Sequence, residues 1–168
     1  RCALERSDGP TALLLSRQNL PQVARDDETI AGIAKGGYVL SDAANKTPDV
    51  VIIATGSEVQ LAVEARAVLS AEGINARVVS APSLEWFEEQ DAAYRDAVLP
   101  PSVRKRVTVE AGVSLGWERY AGDDGAIIAI DHFGASAPAG TIFKEFGFTT
   151  DRVAEVGRGR SATLFASV

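Results

Sequence analysis

The stretch Asp49-Val-Val-Ile-Ile-Ala-Thr-Gly-Ser-Glu-Val-Gln-Leu-Ala-Val-Glu-Ala-Arg-Ala-Val-Leu69 decides the fold of this chain. Residues 50–54 form a continuous apolar, β-branched run, the pattern of a strand covered on both faces. Gly56 permits a sharp turn. Ser57 then offers a hydroxyl to the free N–H groups of a first helical turn, with Gln60 three residues on. Leu61, Ala62, Ala65, Val68 and Leu69 share one helical face, with Glu64 and Arg66 off it. Gly73 is placed to end the helix as a left-handed cap, and a second strand follows at 76–81. The unit is β-α-β, which predicts a parallel strand pair joined by a right-handed crossover.

The same alternation continues outward. Towards the N-terminus, residues 11–16 (Thr-Ala-Leu-Leu-Leu-Ser) read as a short apolar strand with no crossover helix linking it to 50–54. Residues 22–36 are polar and mixed, a linker or short helix ending at Lys35-Gly36-Gly37, and residues 37–40 are a brief strand. Towards the C-terminus, Leu84, Trp86 and Phe87 lie in a short helical segment, and the stretch from Tyr94 runs into the helix-stopping pair Pro100-Pro101. Strands are expected at 104–111 and 126–130, with a short helix at 117–120 between them. Ser136 is expected to cap a helix with Pro138 in its first turn and Ile142, Phe143 and Phe146 on its apolar face. Gly147 ends that helix. A last one centres on residues 152–156, before a loose tail from Gly157 to Arg160. Strands and helices in alternation give a three-layer α/β architecture on a mostly parallel sheet of about five strands.

Bulk properties narrow the class. The chain has 168 residues, 46% hydrophobic and 24% charged, with a formal net charge of −6. That balance argues against nucleic acid or an anionic membrane surface as the main partner. No apolar run approaches the roughly 20 residues that span a bilayer. The single cysteine, Cys2, rules out an internal disulfide and a cysteine-built metal site. These features fit a cytoplasmic protein. There is no methionine, and the chain opens on Arg1-Cys2-Ala3-Leu4-Glu5 as if inside a longer polypeptide, so a fragment or processed piece is expected.

Three places carry candidate chemistry. Arg17, in Ser16-Arg17-Gln18-Asn19, sits at a strand's C-terminal end, where open α/β sheets place ligand groups. A guanidinium there suits a phosphate or carboxylate, or else a surface ion pair. The helix start at Thr55-Gly56-Ser57-Glu58 is an anion site in principle. It lacks the glycine spacing of a dinucleotide or Walker loop, and Glu58 already occupies the positive end of the helix dipole, so capping is the expected role. His132, the only histidine, lies near Asp131 and Ser136, but no Gly-x-Ser-x-Gly elbow supports a hydrolytic triad. Glu85, Glu88 and Glu89 are assigned to a solvated face. Glu110 ends a strand, and Trp86, Trp117, Phe133 and Phe146 read as core or interface anchors.

Taken together, four stretches resemble the C-terminal part of the transketolase family. They are Leu14-Leu-Ser-Arg-Gln-Asn-Leu-Pro21; Ile53-Ala-Thr-Gly-Ser-Glu-Val-Gln-Leu-Ala62; Tyr94-Arg-Asp-Ala-Val-Leu-Pro-Pro-Ser-Val103 leading into Val107-Thr-Val-Glu-Ala-Gly112; and Phe133-Gly-Ala-Ser-Ala-Pro138 followed by Phe146-Gly-Phe-Thr149. They occur in the family's order and span nearly the whole chain.

The resemblance implies that residues 1–34 are the tail of the family's pyrimidine-binding domain plus a linker, and that residues 35–168 are its complete C-terminal domain. That domain would be a three-layer α/β/α unit on a five-stranded, mostly parallel sheet with one antiparallel strand, for which residues 37–40 are the candidate. It implies Arg17 as the ligand of a substrate phosphate in the parent enzyme, a homodimer that moves a two-carbon ketol unit between sugar phosphates of the pentose phosphate pathway. It implies that the parent's thiamine diphosphate and divalent cation (Mg or Ca) are bound outside these residues, and that no catalytic, cofactor-binding or metal-binding residue lies within them. The expected partners are the remaining transketolase domains, and the fragment alone is expected to be inactive, with a structural or regulatory role. A free-standing α/β module that binds anions at 55–58, without catalysis, is the alternative. A hydrolase built on His132 is a third and weaker reading, which would need a base within reach of Ser136.

Overall fold

The apolar run at the centre of the sequence becomes the centre of the sheet. A computed structural model describes residues 2–159. In chain order it builds α1 (Cys2–Glu5), α2 (Asp27–Gly32), β1 (Tyr38–Ser41), β2 (Val50–Ala54), α3 (Val59–Ala71), β3 (Ala76–Ser80), α4 (Leu84–Glu88), α5 (Ala92–Val98), β4 (Arg106–Val109), α6 (Glu118–Ala121), β5 (Ala126–Ile128), α7 (Ala139–Glu145) and α8 (Thr150–Gly157). Short 3₁₀ turns occupy Ile33–Lys35 and Gly56–Glu58. The five strands are ordered β1-β3-β2-β4-β5. β2 pairs in parallel with β3 (Val50 opposite Ala76 through Ala54 opposite Ser80) and with β4, and β5 continues in parallel on β4. β1 alone runs antiparallel, with Tyr38 opposite Ser80 on β3 and a register shift between Val39 and Ser41.

Because side chains alternate along a strand, β2 feeds two cores at once. Val50, Ile52 and Ala54 join Val78, Val107, Val109 and Ile128 beneath α3 and α8, with Leu69, Phe148 and Val153 from above. Val51 and Ile53 face Phe87, Val98, Leu99, Trp117 and Tyr120 on the other side. Each fully buried Val, Ile or Leu contributes about 1.5–3 kcal/mol, so a strand buried along its whole length is the strongest local determinant of the fold. The result is the expected three-layer α/β/α unit on a mostly parallel sheet with one antiparallel strand. α3 buries Val59, Ala62, Ala65 and Leu69, with Leu61 and Val68 packed at the margin, and Gly73 (φ 79°) closes the helix as anticipated.

Several local expectations fail for identifiable reasons. Residues 11–16 form no strand, because nothing in this chain pairs with them, and Leu13, Leu14 and Leu15 stand exposed. Neither Ser57 nor Ser136 caps a helix. Gly56, at φ 50°, tightens residues 56–58 into a 3₁₀ turn, so α3 starts only at Val59 and the Ser57 hydroxyl turns aside to Glu58. α7 starts at Ala139 with Pro138 in the cap position, which leaves Ser136 two residues outside it. The side-chain caps that do form are Asp26, Ser83, Asp91 and Thr149, each accepting from the N–H three residues on.

Other expected surface features turn out to be built in. Glu88 is not solvated freely: it accepts from Arg95 (2.8 Å), from Arg119 and from the Tyr120 hydroxyl (2.8 Å). Arg66, placed off the apolar face, reaches the carbonyls of Ala76 and Asp42 and ties α3 to the sheet. Gly157 is not loose; it closes α8 against Leu69, and Arg158 pairs with Glu72. Arg160 lies outside the described residues.

Candidate functional site

Parallel strands bring their carboxyl ends, and the loops that follow, to one end of a sheet. Here that end holds Thr55–Glu58 after β2, Glu110 to Trp117 after β4, and residues 129–138 after β5. Because β1 is antiparallel to β3, the chain also enters β1 at this end, so the segment bearing Arg17 is attached there.

The turn after β2 does not present an anion site. Ser57 and Glu58 are buried. The Ser57 hydroxyl donates to Glu58 Oε1, and the Ala111 N–H donates to the same carboxylate. Thr55 Oγ1 donates to Glu110 Oε2 at 2.6 Å. Burial pushes the Glu58 carboxyl above the usual carboxylate range. The Ser57 hydrogen bond works against that shift, and the negative charge of Glu110 adds to it. The positive end of α3 is therefore filled by the protein's own acid, and a second carboxylate stands beside it. Such a place repels phosphate. The anion-binding alternative loses its site, and a diphosphate cofactor finds no cradle in the turn. Among the described residues no group of three or more His, Cys, Asp or Glu side chains converges as metal ligands would.

His132 is exposed. Its Nδ1–H donates to the Phe133 carbonyl at 2.8 Å, and its ring lies edge-on to Phe146 with centroids 4.6 Å apart. Asp131 Oδ1 accepts from the Ser114 N–H at 2.8 Å. Among the described residues neither Asp131 nor Ser136 hydrogen-bonds to His132, and no relay forms. Trp117 is a core anchor as expected, Trp86 and Phe146 are half-buried, and Phe133 is 97% exposed, the opposite of a core position.

Arg17 is exposed in the extended stretch between Pro10 and Asp26, with no ion-pair partner among the described residues. Sequence reasoning missed the Glu58–Glu110 pairing, which brings together the ends of two strands far apart in the chain. The one local signal was a glutamate straight after the serine of a β–α turn. It also missed Val113 and Leu115, apolar residues on the outside of a loop.

Comparison with known proteins supplies the context. The profile of the Transketolase-like TK C-terminal domain family matches residues 36–149. Transketolase 1 of Escherichia coli (strain K12) is 58% identical over 150 residues, which cover 89% of this chain and 22% of that protein. The chain thus spans about a fifth of the length of this curated relative. The crystal structure of the Pichia stipitis transketolase in complex with sedoheptulose 7-phosphate superposes with a TM-score of 0.75 at 41% identity, covering 85% of this chain and 20% of that one. A split-gene transketolase, described as an inactive β4 tetramer, shares the fold at 21% identity and a TM-score of 0.63, covering 85% of this chain and 47% of that one.

Proposed function

Since the chain belongs to the transketolase family as a C-terminal portion, we propose that it serves a thiamine-diphosphate transferase that moves a two-carbon ketol unit from a ketose phosphate to an aldose phosphate in the pentose phosphate pathway. Residues 1–34 are the tail of the pyrimidine-binding domain plus linker, and residues 35–168 are the C-terminal domain. The parent is a cytoplasmic homodimer. Its thiamine diphosphate and its divalent cation, Mg or Ca, are bound by the remaining transketolase domains. This chain contributes no catalytic residue. Its share of the reaction is Arg17, whose guanidinium binds the phosphate of the sugar phosphate; the rest is scaffold, with any regulation acting through that scaffold.

The observation that carries this reading is the state of residues 11–17. A run of three leucines is extended and exposed, with Arg17 directly after it and no sheet of this chain to receive it. A strand with apolar side chains and free backbone groups is what a domain shared with further chain leaves behind. The described inactivity of the split-gene relative supports the same view of the isolated chain.

The test is ketol transfer from xylulose 5-phosphate to ribose 5-phosphate, with thiamine diphosphate and magnesium supplied. The 168-residue chain alone gives no turnover. Spliced into E. coli Transketolase 1 in place of the matched stretch, it gives an active enzyme. In that hybrid Arg17→Ala raises KM for phosphorylated substrates and spares a non-phosphorylated acceptor. Turnover by the chain alone, or an equal effect of Arg17→Ala on both acceptors, would overturn the assignment.

A further inference from the structure

Ten large apolar side chains stand exposed among the described residues, and they are not scattered. Seven lie from Leu4 to Ile33. The other three are Val113, Leu115 and Phe133, in the loops that follow β4 and β5. None falls in the β-α-β heart of the domain. The three loop residues, at 59%, 83% and 97% exposure, are held close together because their loops are fastened to each other. The Glu110 N–H donates to the Ile128 carbonyl (3.0 Å), the Ile130 N–H to the Gly112 carbonyl (2.7 Å), and the Ser114 N–H to Asp131 Oδ1 (2.8 Å). Val113 and Leu115 flank one end of the last bond, and Phe133 lies two residues past the other.

Clustered, outward apolar groups on a soluble domain mark a contact surface, and apolar aromatics belong to the desolvated centre of such surfaces. Groups already held in place lose less entropy when they are covered. Topology says from which side the cover comes. The chain reaches β1 at the carboxyl end of the sheet, so the exposed leucines of residues 13–15 are tethered at the same end as the two loops. β1 and β5 are the two edges of the sheet. Four strand spacings separate them, about 19 Å, which a single domain of about 30 Å spans. A body that receives the leucine run lies over the loops as well. The Escherichia coli relative is mostly made of chain that this one does not have, since only 22% of its length is matched.

We propose that the paired loops carrying Val113, Leu115 and Phe133 are a docking face, and that the occupant is the remainder of the transketolase, packed across the carboxyl end of this sheet. This rests on the functional reading above. It adds a second contact, on the far edge of the sheet from β1, to the covalent link through residues 11–34.

The experiment compares amide hydrogen exchange in the free 168-residue chain and in the hybrid with Escherichia coli Transketolase 1. Amides of residues 132–136, all exposed here, are expected to slow at least about tenfold in the hybrid, as for any loop that becomes covered. The double variant Leu115→Ser/Phe133→Ser is expected to lower the melting temperature of the hybrid and leave that of the free chain unchanged. An active hybrid with unslowed loops overturns the docking face and leaves the functional reading standing. An inactive hybrid with slowed loops does the reverse, and an inactive hybrid with unslowed loops overturns both. Slowing in the free chain that grows with its concentration, matched by dimer in sedimentation, would give the face to a second copy and overturn the proposed occupant.

Discussion

Arg77 is the residue whose removal tests the packing argument most sharply. It lies on β3 at 6% exposure, a cation inside an apolar layer. Its fork grips Asp42 through Nε to Oδ1 (2.7 Å) and Nη2 to Oδ2 (3.1 Å), and Nη1 donates to the carbonyls of Ala97 (2.7 Å) and Val98 (3.2 Å). One side chain thus links the loop after β1, the sheet, and the last turn of α5, whose carbonyls have no partner within the helix. Arg77→Met keeps the apolar stem and deletes the charge. Removing one partner of a buried pair costs about 3–5 kcal/mol. The Asp42 side chain is 33% exposed and partly rehydrates, which favours the low end, about 3 kcal/mol. For a chain of this size that is a fall in Tm of about 6–12 °C. Urea denaturation followed by circular dichroism reads it directly. Arg77→Lys should fall in between, because an ammonium cannot reproduce the two-pronged grip. Adding Asp42→Asn to Arg77→Met should cost less than the sum of the single changes, since the stranded carboxylate is then gone. A loss below about 1 kcal/mol for Arg77→Met, or a Lys variant as stable as the parent, would refute the account.

Three further changes follow from buried groups. Thr108 is fully buried on β4, and its hydroxyl has no partner among the described residues. Thr108→Val should therefore stabilise by about 1 kcal/mol, seen as a higher urea midpoint; a loss would reveal a hidden partner. Glu58 has its carboxyl pKa raised in the fold by burial, against the Ser57 hydrogen bond and with help from Glu110. The folded state thus holds that proton more tightly than the unfolded chain. Its stabilising effect is complete below the ordinary carboxylate range and is lost as pH rises through the raised value. Glu58→Gln should match the parent at low pH and exceed it increasingly towards neutrality, and stability difference curves between the two that run flat or slope the other way would exclude this. Gly36 sits at φ 80°, and a Cβ there would strike the Ser83 carbonyl oxygen and the Phe87 nitrogen. Gly36→Ala should cost upwards of about 2 kcal/mol, measured by thermal melting.

What could be read in advance follows from how far apart the interacting residues are. The β2–α3–β3 unit was legible because its determinants are local: an unbroken β-branched run, a helical stripe and a glycine stop. The direction of β1 was not, since four residues of strand carry no mark of parallel or antiparallel pairing. It came only with the family resemblance, and the pairing of Tyr38 with Ser80 bears it out. Residues 11–16 have the composition of a strand, but a strand is a relation between segments, and here the second segment is missing. Ser57 and Ser136 had the right residue type for capping and the wrong backbone, because Gly56 and Pro138 moved the helix starts away from them. The carboxylate pair at Glu58 and Glu110, and the outward turn of Phe133, depend on loop–loop contacts that no periodicity encodes.

The sheet's two margins have a consequence for handling the protein. β1 is four residues long and interrupted by a register shift, and β5 is three residues long. Margins this short offer few consecutive free N–H and C=O groups, so stacking of one sheet on the next into filaments is poorly templated. The leucine run at 13–15 has no such protection: it is extended, uncharged and free of proline. At high concentration the weak point for precipitation is therefore the sequence ahead of the domain, and the domain itself should remain in solution after that sequence is removed.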